Sequence, residues 1–160
     1  MERFTAKGFF KRTNTQLLIE IYNAIKQIVP SAKKGIDFGC GDGFFCEEMS
    51  KKGIVFDGIE FDPKLVTLAN SNMKSGGKVI EGDFSEKLNQ IEISKYDVVY
   101  QYCDIHPKSK LENIDYVIKT LKALRKPPVF FALTSSYGVT SIKANEVIKI
   151  GSLKLKVYKF

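Results

Sequence analysis

Cysteine and histidine are scarce in this chain, and that scarcity excludes whole classes of chemistry. The 160 residues include three cysteines, Cys40, Cys46 and Cys103, with no C-x-x-C pair, and a single histidine, His106. An odd count without paired spacing is no disulfide framework. One imidazole and three scattered thiols do not make a tetrahedral zinc site, so the cysteines read as reduced thiols and no metal is expected. Long apolar runs are missing as well: no stretch approaches the roughly 20 residues that cross a bilayer, and residues 1–12 lack the apolar core of a secretory signal. The expectation is a cytoplasmic chain with no membrane partner. Internal repeats and low-complexity linkers are also absent.

What is present suits one α/β domain. At 44% hydrophobic composition, a chain of this length buries roughly 70% of its unfolded surface. The net charge of +7 is unevenly spread: about +3 in residues 1–12, about +4 in 108–126 and about +4 in 143–160, against about −4 in 13–107. The middle of the chain is acidic and its flanks are basic.

Apolar periodicity predicts the elements. After a basic, aromatic lead (Phe4, Phe9, Phe10, Lys11, Arg12), residues 13–29 place Leu17, Leu18, Ile21, Ala24, Ile25 and Ile28 at helical spacing, with Thr13 or Asn14 as cap and Pro30 as stop. Strands are predicted at 34–38, 54–61, 78–81, 96–102 and 129–134, separated by helices at 44–52, after Asp62-Pro63, and at 111–124. Residues 147–150 and 153–160, joined by Gly151-Ser152, predict a closing antiparallel hairpin. Strands alternating with helices imply a doubly wound, mostly parallel sheet with helices on both faces and ligands beyond the carboxyl ends of its strands. The single domain thus divides into an N-terminal arm and helix (1–30), a core (34–134) and the hairpin (143–160).

The first strand runs into Asp37-Phe38-Gly39-Cys40-Gly41-Asp42-Gly43. Three glycines at alternate positions allow a sharp turn and bring main-chain N–H groups to a ligand at the start of a helix. A dinucleotide fingerprint wants glycine at position 44, where this chain has Phe44, which argues against NAD. Glu60 ends the second strand, 23 residues beyond Asp37, where a carboxylate accepts from ribose hydroxyls; a solvated loop carboxylate is the other reading. Glu81-Gly82-Asp83-Phe84 follows the third strand, and Gln101-Tyr102-Cys103-Asp104-Ile105-His106-Pro107 leaves the fourth.

This ordered set resembles the class I S-adenosylmethionine-dependent methyltransferases, over roughly residues 34–134. The resemblance implies the sheet order 3-2-1-4-5-7-6 and S-adenosylmethionine as cofactor. It implies cofactor contacts from Gly39, Cys40, Gly41 and Gly43 in the turn, from Glu60 at the ribose, and from Asp83 at the adenine amine. Phe61 and Phe84 would wall the adenine ring, or serve as core, and Gln101 would border the site. Asp83 also reads as a helix cap. Asp37 either meets the cofactor's ammonium end, directly or through water, or stiffens the turn. The acidic middle of the chain suits that cationic end.

Asp104 and His106 lie where the acceptor meets the methyl group, and either has the position and pKa of a catalytic base; a helix cap and an exposed imidazole are the alternatives. The D/N-P-P-Y/F signature of related amino-methylating enzymes is missing. Ser135, Ser136 and Tyr137 line an acceptor pocket or only form a turn. Cys46 reads as core. The aromatic lead and first helix are expected to act as a lid that excludes water.

For the acceptor, the bare architecture is similar to small archaeal protein-lysine methyltransferases, which implies a protein side chain such as lysine. The basic flanks favour an acidic protein or a nucleic acid as partner, though no RNA-binding signature is present. Methylation of RNA or a small metabolite, a nicotinamide-dependent oxidoreductase and a non-catalytic partner subunit remain as alternatives.

Overall fold

The computed structural model describes residues 2–5, 8–11, 13–103, 111–135 and 141–160, with the backbone alone at 2–5, 8–11 and 111–113. The aromatic lead, read as an arm, is a hairpin: β1 (Glu2–Thr5) and β2 (Gly8–Lys11) pair antiparallel as their own two-stranded sheet. Aromatic and β-branched residues at Phe4, Thr5, Phe9 and Phe10 favour extended backbone. The lid expected of residues 1–12 falls partly outside the described residues.

Helix α1 (Thr15–Ile28) is capped by Asn14, whose side chain accepts from the Leu17 N–H at 2.9 Å. Its apolar stripe of Leu17, Leu18, Ile21, Ala24 and Ile25 is buried. Next come β3 (Lys34–Phe38), α2 (Phe44–Lys51), β4 (Val55–Glu60), α3 (Pro63–Asn72), β5 (Val79–Glu81), the one-turn α4 (Phe84–Lys87), β6 (Val98–Cys103), α5 (Leu111–Lys122), β7 (Val129–Thr134), β8 (Glu146–Ile150) and β9 (Leu153–Tyr158). Gly53, at φ +95°, follows the end of α2, and Asp62-Pro63 opens α3 as expected.

These strands form one seven-stranded sheet in the order β5-β4-β3-β6-β7-β9-β8. Numbered within that sheet alone, this is 3-2-1-4-5-7-6. The strands β5, β4, β3, β6 and β7 are mutually parallel, and β9 pairs antiparallel with both β7 and β8. One face carries a core of α1, α2 and α3 side chains around Val98, Tyr100, Phe131 and Leu133; on the other, α5 packs Ile114, Val117, Ile118 and Leu121 against Val99, Phe130, Ala132 and Tyr158. Burying each such side chain contributes about 1.5–3 kcal/mol, and the inner strands β3, β4, β6 and β7 are covered on both faces, which is why they read as mostly apolar; β5, at the edge, is only partly buried. Among the described residues, no helix is long and apolar enough to cross a membrane, and no cluster of three or more histidine, cysteine or acidic side chains is placed to hold a metal.

Candidate active site

The glycine turn sits between β3 and α2, at the carboxyl edge of the sheet. Gly39, Gly41 and Gly43 all adopt left-handed backbone, at φ +81°, +60° and +76°, a conformation that penalises any residue with a Cβ. The N–H groups of Gly39 and Cys40 both donate to the Ile59 carbonyl, at 2.9 and 3.0 Å, fastening the turn to β4. A Cβ added at Gly39 meets nothing within 4 Å, whereas one at Gly43 runs into Met73 at 2.8 Å. Gly39 therefore opens onto free space, and Gly43 lets α3 approach.

Glu60 is the hub of the site. Its Oε2 accepts from the Gly41 N–H at 2.9 Å, and its Oε1 accepts from Phe61 N–H at 2.8 Å and Asp62 N–H at 2.9 Å. The carboxylate is buried, and burial raises its pKa against the lowering pull of those backbone donors. So Glu60 is neither a solvated loop acid nor a bystander: it ties the turn to the start of α3. Phe61, beside it, is 37% exposed.

Asp37 is buried on the α1 side of β3, and its Oδ1 has no hydrogen-bond partner among the described residues. Burial first, and then the charge of Glu60, push its pKa well above the usual carboxylate range. Tyr100 lies opposite it in register on β6. Cys40 and Cys46 are both buried; the Cys46 thiol donates to the Asp57 carbonyl at 3.5 Å and to Asp37 Oδ2 at 4.0 Å, and it is pushed up mainly by burial. They flank Gly58: a Cβ there would lie 2.4 Å from Cys40 Sγ and 3.3 Å from Cys46 Sγ.

On the next strand, the Gly82 N–H donates to the Glu60 carbonyl at 2.9 Å, which brings the Glu81–Phe84 motif alongside. Asp83 is exposed and caps α4, its Oδ1 accepting from Ser85 N–H at 2.8 Å and from the Ser85 hydroxyl at 2.6 Å. Phe84 stacks on Phe38, with centroids 5.4 Å apart and the rings 3° from parallel. Gln101 is buried across β3 on the α5 face, with Oε1 unpartnered among the described residues. Asp104, His106, Ser136 and Tyr137 lie outside the described residues; Ser135 follows β7, half-buried.

Three contributors escaped the sequence reading. Asn72, at the end of α3, donates through Nδ2 to the Asp42 carbonyl at 2.8 Å, Met73 packs at Gly43, and the Asp42 carboxylate accepts from Phe44 N–H at 3.2 Å. Only Asp42 carried a signal, as an acid just before a helix. The others depend on where α3 ends.

A family model described as a methyltransferase domain matches residues 30–155. The chain belongs to that family. The fold and the ordered motifs are those of class I, S-adenosylmethionine-dependent methyltransferases, as the resemblance implied. Among curated relatives, the chain is 28% identical over 107 residues to a ubiquinone biosynthesis O-methyltransferase of Histophilus somni, covering 59% of this chain and 41% of that protein. It is 26% identical over 136 residues to the protein of the same name in Actinobacillus pleuropneumoniae, covering 74% and 54%. The chain thus spans about half the length of these relatives. Among solved structures, an RNA methyltransferase of Salinibacter ruber in complex with S-adenosyl-L-homocysteine superposes with a TM-score of 0.66 at 16% identity, covering 92% of each chain. At that identity the likeness is one of fold.

Proposed function

We propose that this methyltransferase domain binds S-adenosylmethionine at the carboxyl edge of β3 and β4 and passes its methyl group to a nucleophile presented from the β6–β7 side. The observation that carries this reading is the Glu60 carboxylate, buried and held by three backbone N–H groups at the rim of a left-handed glycine turn. The residues present fit the cofactor. The open space at Gly39 accommodates close approach of a ligand, the unpartnered, buried Oδ1 of Asp37 suits a cationic group, and exposed Phe61 offers a ring face to a purine.

When bound, the cofactor supplies a methyl carbon on a positively charged sulfur. The protein's part is then to orient and to exclude water. Glu60 keeps one acceptor site beyond its three backbone donors for a ribose hydroxyl. A cationic group beside Asp37 would favour its ionised form, which burial and then Glu60 disfavour, so the site would gain from the cofactor an interaction that it lacks alone. Alignment of the acceptor with the methyl carbon accounts for most of the rate. Asp83, engaged as a helix cap, retains Oδ2 for an amine donor. Asp104 and His106 stay the candidates for a base.

Calorimetric titration with S-adenosylmethionine and S-adenosylhomocysteine, with NAD as control, tests the site. The first two are expected to bind and NAD is not. Phe61→Ala, at an exposed position, is expected to weaken binding about tenfold, the equivalent of roughly 1.4 kcal/mol, with unchanged thermal stability. Absence of binding by both cofactor forms, or wild-type affinity in Phe61→Ala and Glu60→Gln alike, overturns the assignment.

A further inference from the structure

The outer strands of the sheet carry a pattern that packing does not explain. β8 and β9 place Lys149 opposite Lys154 and Val147 opposite Lys156. Residues directly opposite, and residues two apart on a strand, share a face, so these four project on one side. It is the side on which Tyr158 packs with α5, whereas Ile148, Ile150, Leu155 and Val157 face the core around α1. Lys149 and Lys154 are exposed, as is Val147 at 56%. Glu146, the acid of β8, faces the other way and pairs with Lys159.

Like charges directly opposite one another in a sheet are destabilising. Lysine on an edge strand guards against edge-to-edge pairing, and that accounts for Lys149 on β8. It does not account for Lys154 and Lys156, because β9 is hydrogen-bonded on both sides, by β7 and β8. Lys156 is half-buried near Cys103, and burial together with the Lys154 charge pushes its ammonium pKa down. The row also has a direction. Lys154 pairs with Thr134, the last residue of β7, and Lys156 with Ala132, so the cations begin at the same carboxyl edge as the glycine turn, run back along β9 and extend to Lys149 on the edge strand.

We propose that this lysine row holds the backbone of a single-stranded nucleic acid whose acceptor group reaches the methyl-transfer site; this deepens the methyltransferase reading and rests on it. Lys154 and Lys156 stand about 6.7 Å apart along β9, with Lys149 across from Lys154, a separation suited to neighbouring phosphates of a polyanion, and lysine binds phosphate as a point charge. Among the described residues of β8 and β9, Val147 is the exposed apolar side chain on this face, and peptide partners are anchored by apolar side chains in pockets. A single strand is favoured because a base inside a duplex is out of reach of a site at a sheet edge.

The test is fluorescence anisotropy of a labelled, mixed-sequence single-stranded oligoribonucleotide with the whole chain across a salt series, with S-adenosylhomocysteine calorimetry on the same samples. Lys149→Ala/Lys154→Ala is expected to weaken oligonucleotide binding at least tenfold at low salt. It is also expected to reduce the slope of log affinity against log salt by about 1.4, two phosphates at about 0.7 each. The charge-matched control Lys122→Ala/Lys126→Ala, at the far end of α5, is expected to change binding less than threefold, and cofactor affinity is expected to hold in both variants. Equal loss in both variants, no loss in either, or competition by polyglutamate as strong as by unlabelled oligonucleotide overturns the proposal, the last in favour of an acidic protein. Loss of cofactor binding in the wild-type chain instead removes the methyltransferase reading, while the anisotropy comparison still decides the surface.

Discussion

The two ends of the sheet handle charge in opposite ways. Around β3, β4 and β5 the acids Asp37, Asp42, Asp57, Glu60 and Asp62 are all buried. Nearly all of them are spent on structure: Asp57 accepts from Lys78 N–H at 3.0 Å and from the Tyr96 hydroxyl at 2.7 Å, and Asp62 caps α3. Around β9 and β8 the charges are mostly lysines, with Lys149 and Lys154 exposed and set against one another. A buried carboxylate is costly unless donors meet it, and Asp57, Glu60 and Asp62 each accept from backbone N–H groups. An exposed lysine costs little, so the basic end tolerates like charges set opposite one another, Lys149 and Lys154. On the two readings proposed above, cofactor geometry would be held by backbone hydrogen bonds and acceptor capture left to surface electrostatics.

The sharpest way to break this contrast is Glu60→Ala. It strands three backbone N–H groups in a buried site, an expected loss of about 2–4 kcal/mol. The midpoint of thermal unfolding should fall by on the order of 5–10 °C, with cofactor binding abolished in calorimetry. A midpoint within 1–2 °C of wild type, roughly 0.5 kcal/mol, would mean that Glu60 is no hub. Gly58→Ala comes next: its new Cβ would lie 2.4 Å from Cys40 Sγ and 2.6 Å from Cys40 Cβ. Overpacking of this kind costs about 1–3 kcal/mol, read from urea unfolding, and cofactor affinity should fall with it because Cys40 belongs to the turn.

Asp37→Asn sharpens the comparison through pH. The raised folded-state pKa of Asp37, due to burial and then Glu60, means that the native state keeps a proton that the unfolded chain has already released. Stability therefore falls as pH climbs from the unfolded value, about 3.9, through the folded one, and the whole cost of the charge is present above it. Glu60, also raised, acts with the same sign. Asp37→Asn should therefore be more stable than wild type at neutral pH, by an amount that shrinks as pH falls toward 4, while binding S-adenosylmethionine more weakly. Urea melts across that range check it; a difference independent of pH would show that Asp37 does not titrate there.

The smallest effect belongs to the basic end. Lys154→Ala removes the like charge opposite Lys149 and is expected to raise stability by about 0.2–1 kcal/mol at low salt. The gain should vanish in high salt as screening removes the repulsion. A salt-independent change would mark a packing effect instead.

Much of this architecture was legible in the chain. Strands β3 and β7 stand where their apolar runs predicted them, and the other strand ends moved by two residues or fewer, because strands buried on both faces carry continuous apolar signal. The strand order followed from the resemblance carried by the four motifs. The β1–β2 hairpin was missed because a short aromatic stretch lacks a long period to read. At the site, the glycine turn and Glu60 were visible as spacing. The second role of Glu60, as acceptor for its own turn, was not visible, nor was the contact of Asn72 with Asp42, since both depend on how β4 and α3 sit against β3. Asp83 illustrates the limit: its motif admitted an adenine contact and a helix cap, and the cap is the one that its hydrogen bonds to Ser85 display.

By itself the sequence determined the alternation of strands and helices, the left-handed glycine turn and the placing of acids in the middle and bases at the flanks, because local backbone preference and apolar period are properties of neighbouring residues. Only the tertiary structure decided that Asp37 would be buried with one carboxylate oxygen unpartnered among the described residues, that Phe61 would stay exposed beside Glu60, and that Lys149, Lys154 and Lys156 would share one face. Burial, hydrogen-bond partners and strand register arise between segments distant in the chain, and no local pattern encodes which of them meet.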